Sequence, residues 1–240
     1  MRSGNPALGG NVFTAERTME SAGVMTIDGT VNKTFILLTL VVLGAAWTWN
    51  NPAGFVPFIW PLLIVGFIVA MVTVFKKQWA PVTAPVYAGI EGLILGVISV
   101  ILEKSYPGIV IQAVGLTFGV AFSLLVAYKS RLIKVTENFK LGVVAATGGI
   151  VVVYVIDMIM GFFGHNIPFI HSSGMFGIGF SVFVVIIAAL NLVLDFDFIE
   201  KGAKIGAPKY MEWYGAFGLI VTLIWLYLEI LRLLSKIRRR

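Results

Sequence analysis

Cysteine is absent from this 240-residue sequence, and charged residues are scarce, at 12%. The lack of cysteine excludes disulfides, thiolate metal sites and a cysteine nucleophile. Soluble domains carry roughly a quarter charged residues. Here hydrophobic residues reach 58%, the mean hydropathy is +0.94, and the apolar residues form long blocks. Together these features indicate an integral α-helical membrane protein.

Seven apolar segments are long enough, or nearly so, to cross a bilayer, which takes about 20 helical residues. They are predicted at about 34–49, 56–75, 82–103, 109–128, 141–163, 174–199 and 211–234. Residues 1–33 are polar and are expected to form a mobile N-terminal arm, and residues 235–240 form a basic tail. The predicted fold class is therefore an all-α membrane protein, a seven-transmembrane helix bundle.

The positions of lysine and arginine predict a cytoplasmic N-terminus. In that orientation the inner segments hold twelve such residues and the three outer loops hold only Lys104. Seven crossings would then place the basic tail, with Lys236 and Arg238 to Arg240, outside. A re-entrant last segment would keep both ends inside, but we favour seven full crossings. The net charge is +6. We expect the basic tail to contact anionic lipid headgroups of the cell membrane rather than nucleic acid.

Small residues recur at helix-packing spacing in the third and fourth segments. Gly92 and Gly96 form one small-xxx-small pair, and Gly115 and Gly119 form another. Such pairs allow two helices to approach closely, so they predict tight packing and say little about function.

Five carboxylates interrupt the apolar blocks, with Arg232 as their one obvious basic companion. They are Glu91, Asp157, Asp195, Asp197 and Glu229. A charge at the bilayer centre costs on the order of 3 kcal/mol, so each acid should face the bundle interior, pair, or bind a proton or cation. Carboxylate oxygens suit Ca²⁺. A protein whose acids exchange protons for a cation would respond to pH.

Simpler interpretations exist for most of these acids. Asp197 lies at the inner end of the sixth segment and could be solvated, and Asp157 could make a helix–helix hydrogen bond. Glu229 and Arg232 are spaced i, i+3 and could form a local ion pair. Glu91 is the hardest to explain in this way, because its surroundings are apolar or small.

Signatures of an enzyme were sought and not found. His165 and His171 lie in an outer loop without an HExxH helix, and neither a Gly-x-Ser-x-Gly elbow nor a phosphate loop occurs. We expect no catalytic activity and no cofactor.

Four motifs are similar to those of the Bax inhibitor-1 family, in a bacterial, actinobacterial branch. The segments are Ala88 to Gly96 (AGIEGLILG), Leu194 to Lys201 (LDFDFIEK), Leu226 to Ile230 (LYLEI) and Arg2 to Pro6 (RSGNP). The resemblance implies that the C-terminal helix is central in the bundle. It also implies a pH-sensitive Ca²⁺ leak channel, gated by a carboxylate dyad in the last two spans. Carried over by motif, that dyad is Asp195 and Glu229, with Arg232 as counter-charge and with Asp197 as a further transient Ca²⁺ ligand.

The sequence departs from the family pattern in three ways. Glu229 replaces the usual aspartate, Asp197 adjoins the first member of the dyad, and Leu62 to Phe75 lacks the acid and arginine that some members carry in the second span. Two other functions stay open. One is a non-conducting regulator that binds other membrane proteins, and the other is a proton-coupled transporter of a small solute.

Overall fold

The computed structural model describes residues 23–165 and 167–239, which form seven long helices. These are α1 (Ile27–Asn50), α2 (Ile59–Phe75), α3 (Ala80–Ser105), α4 (Ile109–Lys129), α5 (Glu137–Phe162), α6 (Met175–Lys204) and α7 (Met211–Arg238). Short helices at Pro52–Phe55 and Pro168–His171 and 3₁₀ turns at Val56–Phe58 and Lys77–Trp79 lie in the connections. By length and composition, all seven long helices, α2 with the turns before it, can cross a membrane. The predicted all-α, seven-helix fold class is confirmed.

Helix α1 begins at Ile27, seven residues before the predicted start of the first span. The cause is local: the Thr26 side chain accepts a hydrogen bond from the Gly29 N–H at 3.0 Å and caps the helix. Asp28 follows in the first turn, where a negative charge favours the helix dipole. Residues 27–33 of the predicted arm are thus helical, while residues 1–22 lie outside the described part of the chain.

Helix α7 is at the centre of the bundle, where it packs against α1, α3, α4 and α6. Its buried side chains point in several directions: Phe217 and Ile220 join a core cluster with α1 and α3, and Leu226 and Ile230 join another with α4 and α6. The outer helices have fewer neighbours, because α2 packs mainly on α3 and α5 mainly on α6. A central last helix is therefore confirmed.

The two glycine pairs have different environments. A Cβ atom at Gly92 would lie 2.9 Å from the Val41 Cα of α1, so this glycine permits the close approach of α1 to α3. At Gly115 and Gly119 of α4 a Cβ would meet nothing within 4 Å. Only the first pair is used for packing within the described chain.

The two ends of α7 lie on opposite sides of the bundle. Near the start of α7, Ala207 lies in the connection from α6, and Met25 lies just before α1. The Met25 N–H donates a hydrogen bond to Ala207 O at 2.7 Å. At its end, Arg238 Nη1 donates to Pro107 O (2.7 Å) in the connection between α3 and α4. Helix α7 therefore runs from one side of the bundle to the other and does not turn back.

Candidate functional site

Asp195 places a carboxylate between α6 and α7 with one oxygen unsatisfied. Its Oδ1 lies 3.7 Å from where a Cβ at Gly218 would be, so the missing side chain of that glycine leaves space beside the acid. The Thr222 side chain hydrogen-bonds to the carboxylate. Its Oδ2 is buried, and no described residue donates to it. A buried carboxylate with so few donors requires a proton or a cation for compensation.

Glu229 is also buried, with only 3% of its side chain exposed, but all of its charge is compensated. The Tyr154 hydroxyl of α5 lies 3.0 Å from Oε1 and 3.1 Å from Oε2. Arg232 Nη1 donates to Oε1 at 3.0 Å, which is the i, i+3 ion pair expected from the spacing. The guanidinium also lies over the Tyr154 ring, 4.9 Å from its centroid. The three side chains join α5 to α7 as a neutral group.

The predicted contact between Asp195 and Glu229 is not formed in this structure. Asp195 faces Gly218, and Glu229 follows Gly218 by eleven residues, which at 1.5 Å per residue is about 16 Å along α7. Because α6 and α7 run in opposite directions, Asp195 lies nearer the start of α7 and Glu229 nearer its end. The two acids occupy different depths of the same helix pair.

Asp197 belongs to a third environment, near the C-terminal end of α6. Its carboxylate lies 2.6 Å from Lys201 Nζ and 3.6 Å from Lys140 Nζ of α5. The proposed Ca²⁺ ligands Asp195, Asp197 and Glu229 are therefore not assembled. Within residues 23–165 and 167–239, no group of three or more His, Asp and Glu is placed to hold a metal ion.

The two remaining acids have separate roles. Glu91 of α3 hydrogen-bonds with Tyr87 one turn earlier and faces Gly66 of α2, with Oε1 3.5 Å from a Cβ built there. Asp157 of α5 accepts the Ile167 N–H at 2.9 Å and lies 2.8 Å from His171 Nε2. It therefore anchors the α5–α6 connection.

Sequence reasoning missed a fully buried acid with four donors, Glu212. Its side chain is 0% exposed and pairs with Lys33 Nζ (2.5 Å) and Lys209 Nζ (2.9 Å). The Thr26 N–H and hydroxyl also donate to it, each at 2.9 Å. Lys33 is separated from Glu212 by 179 positions, so spacing gave no sign of that pair, whereas Lys209 lies only three residues before Glu212. The cluster fastens the start of α1 to the start of α7.

Comparison with known proteins gives one family. A family model described as Bax inhibitor 1 like matches residues 5–239, a range that includes all seven long helices and every acid discussed above. A search of curated proteins gave no match.

Proposed function

The chain belongs to the Bax inhibitor-1 family, and from that premise we propose that it is a pH-sensitive cation leak channel of the cell membrane with Ca²⁺ as permeant ion. It is a multi-pass membrane protein, and the family is not known for enzymes. The observation that carries the proposal is the buried Oδ2 of Asp195, to which no described residue donates.

Protons and a cation compete for that carboxylate. When Asp195 is protonated it can donate a hydrogen bond and needs no counter-ion. The interface between α6 and α7, here called the α6–α7 seam, then stays closed. When Asp195 is ionised, a bound cation can neutralise its negative charge inside the bundle. Hard cations such as Ca²⁺ prefer carboxylate oxygens, which supports Ca²⁺ as the ion that passes.

Glu229 has a different role in the proposal from the one that the motif implied. It is the second acidic position along the α6–α7 seam, and Arg232 and Tyr154 neutralise it in the closed arrangement. Release of Glu229 from Arg232 would offer the cation a second carboxylate nearer the end of α7. In this proposal Asp195 and Glu229 are two successive cation-binding positions along one pathway, and they need not contact each other.

Ca²⁺ flux into liposomes containing the purified protein, measured from pH 5 to 8, tests the proposal. Wild-type flux should rise with pH, and Asp195→Asn should give low flux at every pH, because the amide cannot ionise. Asp197→Asn is the matched control: it is the same change two residues along α6, at an acid already paired with Lys201. It should keep the wild-type pH dependence. Flux equal to that of empty liposomes at all pH values, or equal effects of the two variants, would contradict the proposal.

A non-conducting regulator is the second candidate, and one observation favours it. Gly115 and Gly119 of α4 and Gly148 and Gly149 of α5 meet nothing within 4 Å of a built Cβ, so these small residues are not needed for packing in the described chain. Small residues on an open face allow another transmembrane helix to approach closely. Crosslinking in membranes tests this: Gly115→Leu should abolish a stoichiometric crosslinked partner while the flux of the purified protein stays at background.

A further inference from the structure

A cleft of about 250 Å³ lies at the C-terminal end of α7, bounded by the end of α3 and the short helix Pro168–His171. Its polar lining consists of basic residues and hydroxyl groups, namely Arg232, Lys236, Arg239, His171, Tyr106, Ser173 and Ser235. Among the described residues no carboxylate lines it, and Leu102 and Ile170 form its apolar wall. Such a lining suits an anion with an apolar portion.

Lys236 is the central feature of this cleft, because it is buried without a counter-ion. The residue is only 6% exposed. Its Nζ donates to Gly177 O at 3.0 Å and to Ser181 Oγ at 2.7 Å, both uncharged acceptors. In the described chain no carboxylate lies within ion-pair distance of this Nζ. The dipole at the end of α7 favours a cation there, but such end effects are small compared with the desolvation of a buried ammonium group.

The other basic residues of the cleft do not offer Lys236 a free carboxylate. Arg232 is paired with Glu229, and His171 is paired with Asp157. Arg239 is exposed and forms no ion pair with the described residues. Lys236 and Arg239 therefore leave a local excess of positive charge beside an open cavity.

We propose that this cleft binds a phosphate group, carried by a lipid headgroup or by a small phosphorylated solute. Lys236 and Arg239 would neutralise it, and the hydroxyls of Ser235 and Tyr106 would donate to its remaining oxygens. Phosphate fits better than a carboxylate because donors converge from α3 and α7 around a body with several acceptor oxygens. The proposal does not depend on ion conduction.

Binding to the purified full-length protein in uncharged detergent tests the proposal with two probes. Native mass spectrometry measures retention of phosphatidylglycerol against phosphatidylcholine, and calorimetry measures binding of inorganic phosphate. Preference for phosphatidylglycerol identifies a lipid site, and binding of inorganic phosphate alone identifies a solute site. Binding of neither probe above its control overturns the proposal.

Three variants locate the site. Arg239→Gln and Lys236→Met should each weaken binding about tenfold, the effect of losing one charge-assisted hydrogen bond. Arg238→Gln is the control, since Arg238 has the same charge but donates to Pro107 O and Gln112 Oε1 and does not line the cleft. Its affinity should stay close to that of the wild type. Because Arg239 is exposed, its variant remains informative if Lys236→Met fails to fold. Equal weakening by Arg238→Gln and Arg239→Gln would overturn the proposal, because it would indicate a diffuse basic surface.

Discussion

The two residues of the Glu229–Arg232 ion pair should differ in how much stability the protein loses when each is mutated. The Glu229 side chain is 3% exposed and the Arg232 side chain is 43% exposed. Removing the arginine strands a buried carboxylate, whereas removing the carboxylate leaves an arginine that already reaches solvent. Arg232→Gln should therefore destabilise the protein more than Glu229→Gln does.

The magnitude follows from what each substitution leaves behind. Arg232→Gln leaves Glu229 with the Tyr154 hydroxyl as its main donor, and breaking a buried pair in this way costs roughly 3–5 kcal/mol. Glu229→Gln loses charge-assisted hydrogen bonds but strands no buried charge, at roughly 1–2 kcal/mol. With about 2–4 °C per kcal/mol for a chain of this size, Tm should fall by about 10 °C for Arg232→Gln and about 4 °C for Glu229→Gln. The double variant should be more stable than Arg232→Gln, because no carboxylate remains.

Thermal unfolding in one detergent, followed by tryptophan fluorescence, measures all three variants. Lys204→Gln provides the control, since its ion pair with Glu200 is on the surface, with side chains 67% and 35% exposed. Surface pairs contribute about 0–1 kcal/mol, so the Tm of this control should change little. An equal or larger loss for Glu229→Gln, or a double variant no more stable than Arg232→Gln, would refute the reasoning from burial.

Two further predictions concern helix packing. Glu212→Gln removes the charge that fastens α1 to α7, so it should cost roughly 2–3 kcal/mol of stability and speed amide hydrogen exchange over residues 24–33. Glu137 is the control: its side chain is 86% exposed, and Glu137→Gln should change neither stability nor exchange. Unchanged exchange in Glu212→Gln would contradict the role of Glu212 in holding α1 against α7. Gly92→Ala should cost about 3 kcal/mol by overpacking against the α1 backbone, whereas Gly115→Ala should leave Tm unchanged in the monomer. Equal Tm values for the two glycine variants would show that close packing of α1 against α3 at Gly92 does not contribute to stability.

The number of helices was predictable because bilayer thickness fixes how long an apolar helix must be. The helix ends were less predictable, since they depend on caps that hydropathy does not measure. Thr26 starts α1 inside a segment that looked like a polar arm. Likewise, spacing predicted two equivalent glycine pairs, but only the neighbouring helix decides which pair is packed: α1 lies against Gly92, and nothing lies against Gly115.

The acids show the same division between local and distant information. The Glu229–Arg232 pair could be predicted because both residues lie on one helix turn. The Glu212–Lys33 pair could not, because nothing in the spacing links the first helix to the seventh. The dyad of Asp195 and Glu229 came from motif order, which identifies the helices but not the height of each acid along them. Antiparallel helices place those heights about 16 Å apart.

The basic tail presents a conflict between topology and charge. Seven crossings place the end of α7 opposite the N-terminus, so a cytoplasmic N-terminus puts basic residues on the side where the orientation rule expects few. In the folded protein Lys236 donates to Gly177 and Ser181, and Arg238 donates to Pro107 and Gln112. Only Lys236 of these described tail cations is buried, whereas Arg238 and Arg239 are exposed. A cytoplasmic N-terminus and an external tail therefore stay predictions from the positions of lysine and arginine along the chain.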